Sequence, residues 1–306
     1  MVNVTQRIAQ VTQPRGGYIN PKSMEIRQLS NPAADPLLLA DENIHASILG
    51  SAVDYLTRWS LDHRKPPEVP AAQWAFDVPS AGARRLDKEF GTSHEERVAE
   101  LCRAIDDSRP YNPDKPTPPS DVAIAAAIEL ASYDVAFRAG VYTYNPETNT
   151  EPDVVTTRHV SIMVRRGLAF FQEYGPVAVD GFVTVGGHGA FIDGGDGDFV
   201  TPDTLWDFKV SVRPPSKDHT LQLLIYWLMA RRSGWNWNAL WNSSHTYSEE
   251  DWRDMFDLDA YLRDNRSWPA RQLARHVRDQ PLGVRMQEIV RVAQQRLASQ
   301  LRPAGG

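Results

Sequence analysis

Residues 194–229 read GGDGDFVTPDTLWDFKVSVRPPSKDHTLQLLIYWLM, and the fold turns on how this stretch is understood. Phe199-Val200 and Leu205-Trp206 are short apolar runs separated by Thr201-Pro202-Asp203-Thr204. Proline and aspartate in the middle of such a gap favour a tight turn, which predicts a β-hairpin. Asp198 then opens one strand and Asp207 lies in the next. Side chains alternate along a strand, so Asp207 and Lys209 share a face while Phe208 points the other way, into the core. Two carboxylates and one ammonium can therefore converge at one edge of the hairpin. After the Pro214-Pro215 break, Ser216 or Asp218 can cap a helix whose apolar run is Leu221, Leu223, Leu224, Ile225, Trp227, Leu228 and Met229. Gln222 and Tyr226 are four apart and share one of its faces.

The chain supplies its own control for these spacings. Its lysines are Lys22, Lys65, Lys88, Lys115, Lys209 and Lys217, and only Lys209 has an acid two positions before it. Of the tyrosines, only Tyr226 has a glutamine four positions before it. An Asp on one strand, an Asp-x-Lys triplet on the next and a Gln-x-x-x-Tyr helix after them resemble the PD-(D/E)xK nuclease superfamily, its RecB-like branch in particular. The resemblance covers about residues 177 to 230 and implies a restriction-endonuclease-like α/β fold, a mixed sheet flanked by helices.

The resemblance implies that Asp198 and Asp207, joined by the backbone carbonyl of Phe208, hold Mg²⁺ or Mn²⁺. Lys209 would position or deprotonate the attacking water, or offset charge in the transition state. Hard divalent cations held by carboxylates suit phosphodiester hydrolysis, since they stabilise charge growing on phosphate oxygens. A flexible ammonium can change protonation state when desolvated and a guanidinium cannot, which is informative in a chain that otherwise prefers arginine. Gln222 and Tyr226 would contact the nucleic-acid strand or brace the active-site strands. Asp203 forms a literal Pro-Asp with Pro202 but falls in the turn, so Asp198 is preferred as first ligand. Asp193 and Asp196 in the Gly-rich approach read as turn residues. Two further metal-ligand candidates are Asp54, four residues after Gly50 where the RecB-like branch carries a histidine, and Glu173 at the end of a helix; for both, a surface residue is the plainer reading.

Composition bounds the rest. A length of 306 residues allows one elaborated domain or two smaller ones. The single Cys102 excludes an intrachain disulfide framework and a Cys-rich zinc site, which suits a reducing cytoplasm. No apolar run approaches a membrane span, and the start lacks a signal-peptide core. The net charge of −6 divides unevenly: Tyr261–Gly306 carries nine arginines against Asp264, Asp279 and Glu288, a surplus of six that leaves −12 on the remainder. A basic tail on an acidic body fits steering of a phosphate backbone; an Arg-rich solvated helix face fits it equally.

Working outward, residues 1–35 are polar and rich in Pro and Gly, predicting an irregular lead-in. Residues 36–175 predict a helical region, with helices at about 42–60, 93–106 (capped by Thr92 or Ser93), 120–138 and 154–174, the Pro-rich stretch 61–120 holding one of them. Residues 176–245 form the expected nuclease core, opened by a strand at 177–185 and closed by one at Trp235–Trp241. Residues 246–306 are a basic helical extension, with helices at about 248–263, 269–278 and 282–301. His188 in its Gly-rich loop receives no role. No Walker-type motif is present, so a motor activity would come from a partner such as a helicase or ATPase. DNA is the expected substrate ahead of RNA. The competing readings are a module that keeps the fold and binds nucleic acid without cutting, and a hydrolase of small nucleotides.

Overall fold

A computed structural model describes residues 2–23, 41–61, 75–109, 116–177, 179–185, 192–201, 204–211 and 213–232. The chain divides into two compact units, Met1–Arg27 with Val177–Asp207 and Arg213–Gly306, and Gln28–Pro176 with Phe208–Val212. The expected strand at Trp235–Trp241, the three C-terminal helices, the basic tail, the His188 loop and Asp203 lie outside the described residues.

The first unit is built on a sheet. Residues 2–10, expected as irregular lead-in, form β1 (Val2–Asn3) and α1 (Val4–Gln10). A capping box explains the start of α1. The Asn3 side chain accepts from the Gln6 N–H at 2.8 Å while the Gln6 side chain accepts from the Asn3 N–H at 3.0 Å. Next in this unit come β2 (Val179–Val185), β3 (Ile192–Val200), β4 (Leu205–Trp206) and one further helix. β3 is central: β2 runs antiparallel along one side, while β1, parallel, and β4, antiparallel, share the other.

The Gly-rich approach that reads as a turn is therefore most of a nine-residue strand, and Asp193 and Asp196 stand within it. Pairing on both sides gives its backbone groups ladder partners, which outweighs the low strand propensity of Gly and Asp. The turn after β3 is closed by the Thr201 N–H donating to the Thr204 carbonyl at 2.9 Å. The Trp206 indole N–H donates to the Thr201 hydroxyl at 3.0 Å.

The second unit is helical. Its elements are α2 (Ala46–Leu61), α3 (Asp77–Phe90), α4 (His94–Asp107), α5 (Asp121–Ser132), α6 (Asp134–Arg138) and α7 (Val154–Tyr174). Leu49, Val53, Leu56 and Trp59 of α2 pack with Ile124 and Leu130 of α5 and with Val160 and Val164 of α7 in one buried core. Proline count alone hides α3. Pro79 sits in its first turn, where a missing N–H leaves no helical bond unmade. The single helix expected over 120–138 is two, broken at Tyr133. A Cβ on Gly82 of α3 would collide with the Tyr133 carbonyl oxygen, so glycine is what lets α3 lie against the break.

Caps fix the helix starts. Ser120 accepts from the Ala123 N–H at the head of α5, and Asp153 from the Thr156 N–H at the head of α7. Neither Thr92 nor Ser93 caps α4. Asp87, from the preceding helix, accepts from the N–H groups of His94 and Glu95 at 2.7 and 2.8 Å and from the Thr92 hydroxyl at 2.7 Å. The segment before α2 is tied to α7 by polar bonds: Asn43 to Thr156 and Asp153, and the Glu42 carboxylate to the His159 ring at 2.9 Å, with both side chains only 7% exposed.

Candidate active site

Position on the strands comes first. The β3–β4 register pairs Phe199 with Trp206 and Val200 with Leu205. Continued one step beyond the paired residues, that register would bring Asp198 opposite Asp207. Asp198 lies inside β3 rather than opening it, and Asp207 follows directly after β4. Residues opposed across an antiparallel pair project to one face with Cβ atoms about 5 Å apart, close enough for two carboxylates to share one ligand. Both aspartates are half-buried.

The Asp207-Phe208-Lys209 triplet crosses a boundary in the chain. Asp207 ends a segment of the first unit, and Phe208–Val212 belongs to the second, where Phe208 and Val210 are half-buried against the helical core. Lys209, between them, is exposed.

After the proline pair, α8 (Lys217–Arg232) begins where expected. Ser216 and His219 exchange bonds at its head. The Ser216 hydroxyl accepts from the His219 N–H, and the His219 ring nitrogen accepts from the Ser216 N–H at 3.2 Å. Asp218, the other cap candidate, instead accepts from the Gln13 amide at 2.6 Å, and the Thr220 hydroxyl donates to the Ile19 carbonyl at 2.8 Å, which ties the N-terminal segment to the helix.

Leu221, Leu224, Ile225 and Tyr226 are buried. The Gln222 amide donates to the Tyr226 hydroxyl at 3.0 Å, so the two residues read as a pair from their spacing do interact. Tyr226 is 2% exposed and its ring lies on Gly195 of β3. A ring so covered packs against the central strand.

Alternation along β3 puts Gly195, Gly197 and Phe199 on the face that Tyr226 covers and Asp198 on the other. Gly197 and Phe199 are buried, as is Val200 on the Asp198 face. Val4 of α1 also reaches Gly195. This N-terminal support for β3 escapes a reading centred on 177–230, although the Asn-Val-Thr-Gln capping box at 3–6 is visible in the sequence.

The secondary candidates stand in the helical unit. Asp54 makes a bridge to Arg58 one turn on, at 2.7 Å, with both side chains mostly covered. Glu173 is exposed at the end of α7. Among the described residues no group of three or more His, Cys, Asp and Glu side chains is placed to hold a metal. A pair of carboxylates plus a backbone carbonyl fits a hard divalent ion that keeps several of its waters, since Mg²⁺ is commonly held by one or two carboxylates with the substrate's own phosphate oxygens.

Comparison of the chain with protein-family models, with curated proteins and with solved structures finds no match.

Proposed function

We propose that this chain is a metal-dependent nuclease of the PD-(D/E)xK type with a restriction-endonuclease-like core, acting on DNA ahead of RNA. The observation that supports the reading is the register of β3 and β4, Phe199 with Trp206 and Val200 with Leu205, which continued by one residue would bring Asp198 opposite Asp207 with Lys209 two residues on. Asp198, Asp207 and the Phe208 carbonyl would hold Mg²⁺ or Mn²⁺. Such an ion supplies positive charge to the phosphate oxygens and lowers the pKa of water.

Lys209 holds or takes a proton of the attacking water while the water oxygen bonds to phosphorus, the P–O ester bond breaks and the leaving oxygen gains a proton. Its exposure fits a side chain that meets solvent water and substrate. Gln222 and Tyr226 keep β3 in place. The arginine-rich sequence from Tyr261 onward supports a polyanionic substrate over a small nucleotide.

The test is cleavage of single- and double-stranded DNA and of RNA by purified protein with and without Mg²⁺ or Mn²⁺. Cutting requires added metal, and Asp207→Ala or Lys209→Ala removes it while leaving the unfolding midpoint nearly unchanged. Cleavage that survives both substitutions sinks the proposal.

The competing reading is a module that keeps the fold and binds nucleic acid without cutting. Calorimetry with Mn²⁺ separates the two, because only a nuclease requires a metal site that Asp198→Ala and Asp207→Ala abolish.

A further inference from the structure

From the exposed face of α7 we infer that this helix grips the phosphate backbone of nucleic acid through Arg158 and Arg165. The inference rests on the proposed function only in its choice of polyanion. Between Asp153, which caps the helix, and Glu173 near its end, α7 carries Arg158, Arg165 and Arg166 and no acid. Arg158 and Arg165 are exposed and make no hydrogen bond or ion pair with another described residue. Elsewhere in the same unit several arginines are engaged, Arg58 with Asp54, Arg97 with Glu129, Arg138 with Asp134 and Arg85 with the Phe137 carbonyl, while Arg103 of α4 is exposed and, among the described residues, stands alone rather than in a stripe with a second arginine.

The helix turns its buried positions, Val160, Val164 and Phe171 among them, to one side. On the other, Arg158, Ser161, Arg165 and Gln172 fall in a single stripe by helical spacing. Arginine, serine and glutamine are donors suited to phosphate oxygens.

Spacing supports a backbone ligand. Seven residues of helix rise about 10 Å, and phosphates of one DNA strand advance about 3.4 Å each along the duplex axis, so each arginine meets its own phosphate. A protein partner would call for a buried aromatic or aliphatic anchor between the charges. The stripe between Arg158 and Arg165 offers only Ser161, half-buried.

The experiment is fluorescence anisotropy of the full chain with a labelled 30-base-pair duplex and the corresponding single strand, in EDTA so that nothing is cut, over a series of NaCl concentrations. For the duplex, Arg158→Ala/Arg165→Ala lowers the slope of log affinity against log salt by about 1.8, two phosphate contacts at about 0.9 each, and weakens binding about tenfold at low salt. Arg158→Lys/Arg165→Lys restores the slope. Arg103→Ala, an exposed arginine of α4, leaves it unchanged. Thermal unfolding of the double variant stays at the wild-type midpoint.

An unchanged slope in the double variant, no binding by wild type, or equal displacement by poly-glutamate at matched charge overturns the inference. Binding through Arg158 and Arg165 without metal-dependent cleavage sustains it while the nuclease reading falls; cleavage with an unaltered slope does the reverse.

Discussion

The Tyr226 ring sits so close to Gly195 that a Cβ added there would stand 2.8 Å from Tyr226 Cε1 and 2.6 Å from Val4 Cγ2. Real Cβ atoms are not found so near other heavy atoms, and neither neighbour yields easily: Val4 is 1% exposed and Tyr226 2%. Gly195→Ala therefore forces α1 or α8 off the central strand and lowers unfolding stability by about 1–3 kcal/mol, the usual cost of overpacking. Adding Val4→Ala removes the closer of the two contacts. The double variant is accordingly more stable than the sum of the single losses implies, which a denaturant-unfolding cycle measures. Additive losses contradict the packing described.

Tyr226 is predicted to act through packing rather than through the substrate. Tyr226→Phe keeps the ring and loses the bond from Gln222, with a stability cost of about 1 kcal/mol. Tyr226→Ala opens a cavity beside Gly195 and costs about 3–5 kcal/mol, as for other large aromatic truncations. DNA affinity measured in EDTA is the same for Tyr226→Phe as for wild type. A stable Tyr226→Ala that had lost affinity would identify the ring as a base-stacking platform instead.

At the head of α4 the sequence points to Ser93 while the structure uses Asp87. Asp87→Ala strips two backbone N–H groups of their acceptor and costs about 1–2 kcal/mol, whereas Ser93→Ala costs a few tenths at most. Burial pushes the Asp87 carboxyl up, but the bonds from Glu95, Thr92 and His94 outweigh it and hold the group below its ordinary value. The stability it supplies is thus present above the ordinary carboxylate pKa and is lost as pH falls through the lowered one. Urea midpoints of wild type and Asp87→Ala converge on acidification. Equal costs for the two substitutions would return the cap to Ser93.

What the sequence discloses depends on where each structural decision is made. α7 is legible to both ends because Asp153 caps it and Gly175-Pro176 stops it, signals carried by the helix's own neighbours. The hairpin and the Gln222–Tyr226 pair are legible for the same reason, a short spacing within one element. β3 is not, since Gly194, Gly195 and Gly197 look like a loop until β1 and β2 pair with them. The α4 cap and the α3 start share that character: Asp87 is supplied across a turn, and Pro79 counts as a breaker only when its place in the helix is unknown. Near the candidate site, the β3–β4 pairing follows from the turn, while the support of β3 by Val4 is a contact between residues nearly two hundred positions apart.

The helical unit should respond to pH through Asp134. Its carboxylate is buried at the break between α5 and α6, accepting from the Tyr55 hydroxyl at 2.7 Å, with Arg138 Nε at 3.7 Å. Burial raises its pKa to about 6; the Arg138 guanidinium and the Tyr55 hydroxyl draw it partly back down, and the neighbouring Asp54 charge adds to the rise. A folded-state value above the unfolded one means that the folded chain binds more protons between about pH 4 and 6. The favourable contribution is therefore complete below the unfolded value of 3.8 and disappears as pH rises through about 6. The full span of about two units corresponds to about 3 kcal/mol. Asp134→Asn keeps an acceptor for Tyr55 or Ser51 without the charge, and the long pair to a half-exposed arginine that it gives up is worth little. The variant is therefore more stable than wild type at pH 7.5, and the difference between the two narrows steadily as pH is lowered to 4.5. Urea unfolding at pH 4.5, 5.5, 6.5 and 7.5 measures this; a wild type that stays the more stable at pH 7.5 would show that the ionised carboxylate is held by its partners more strongly than burial penalises it.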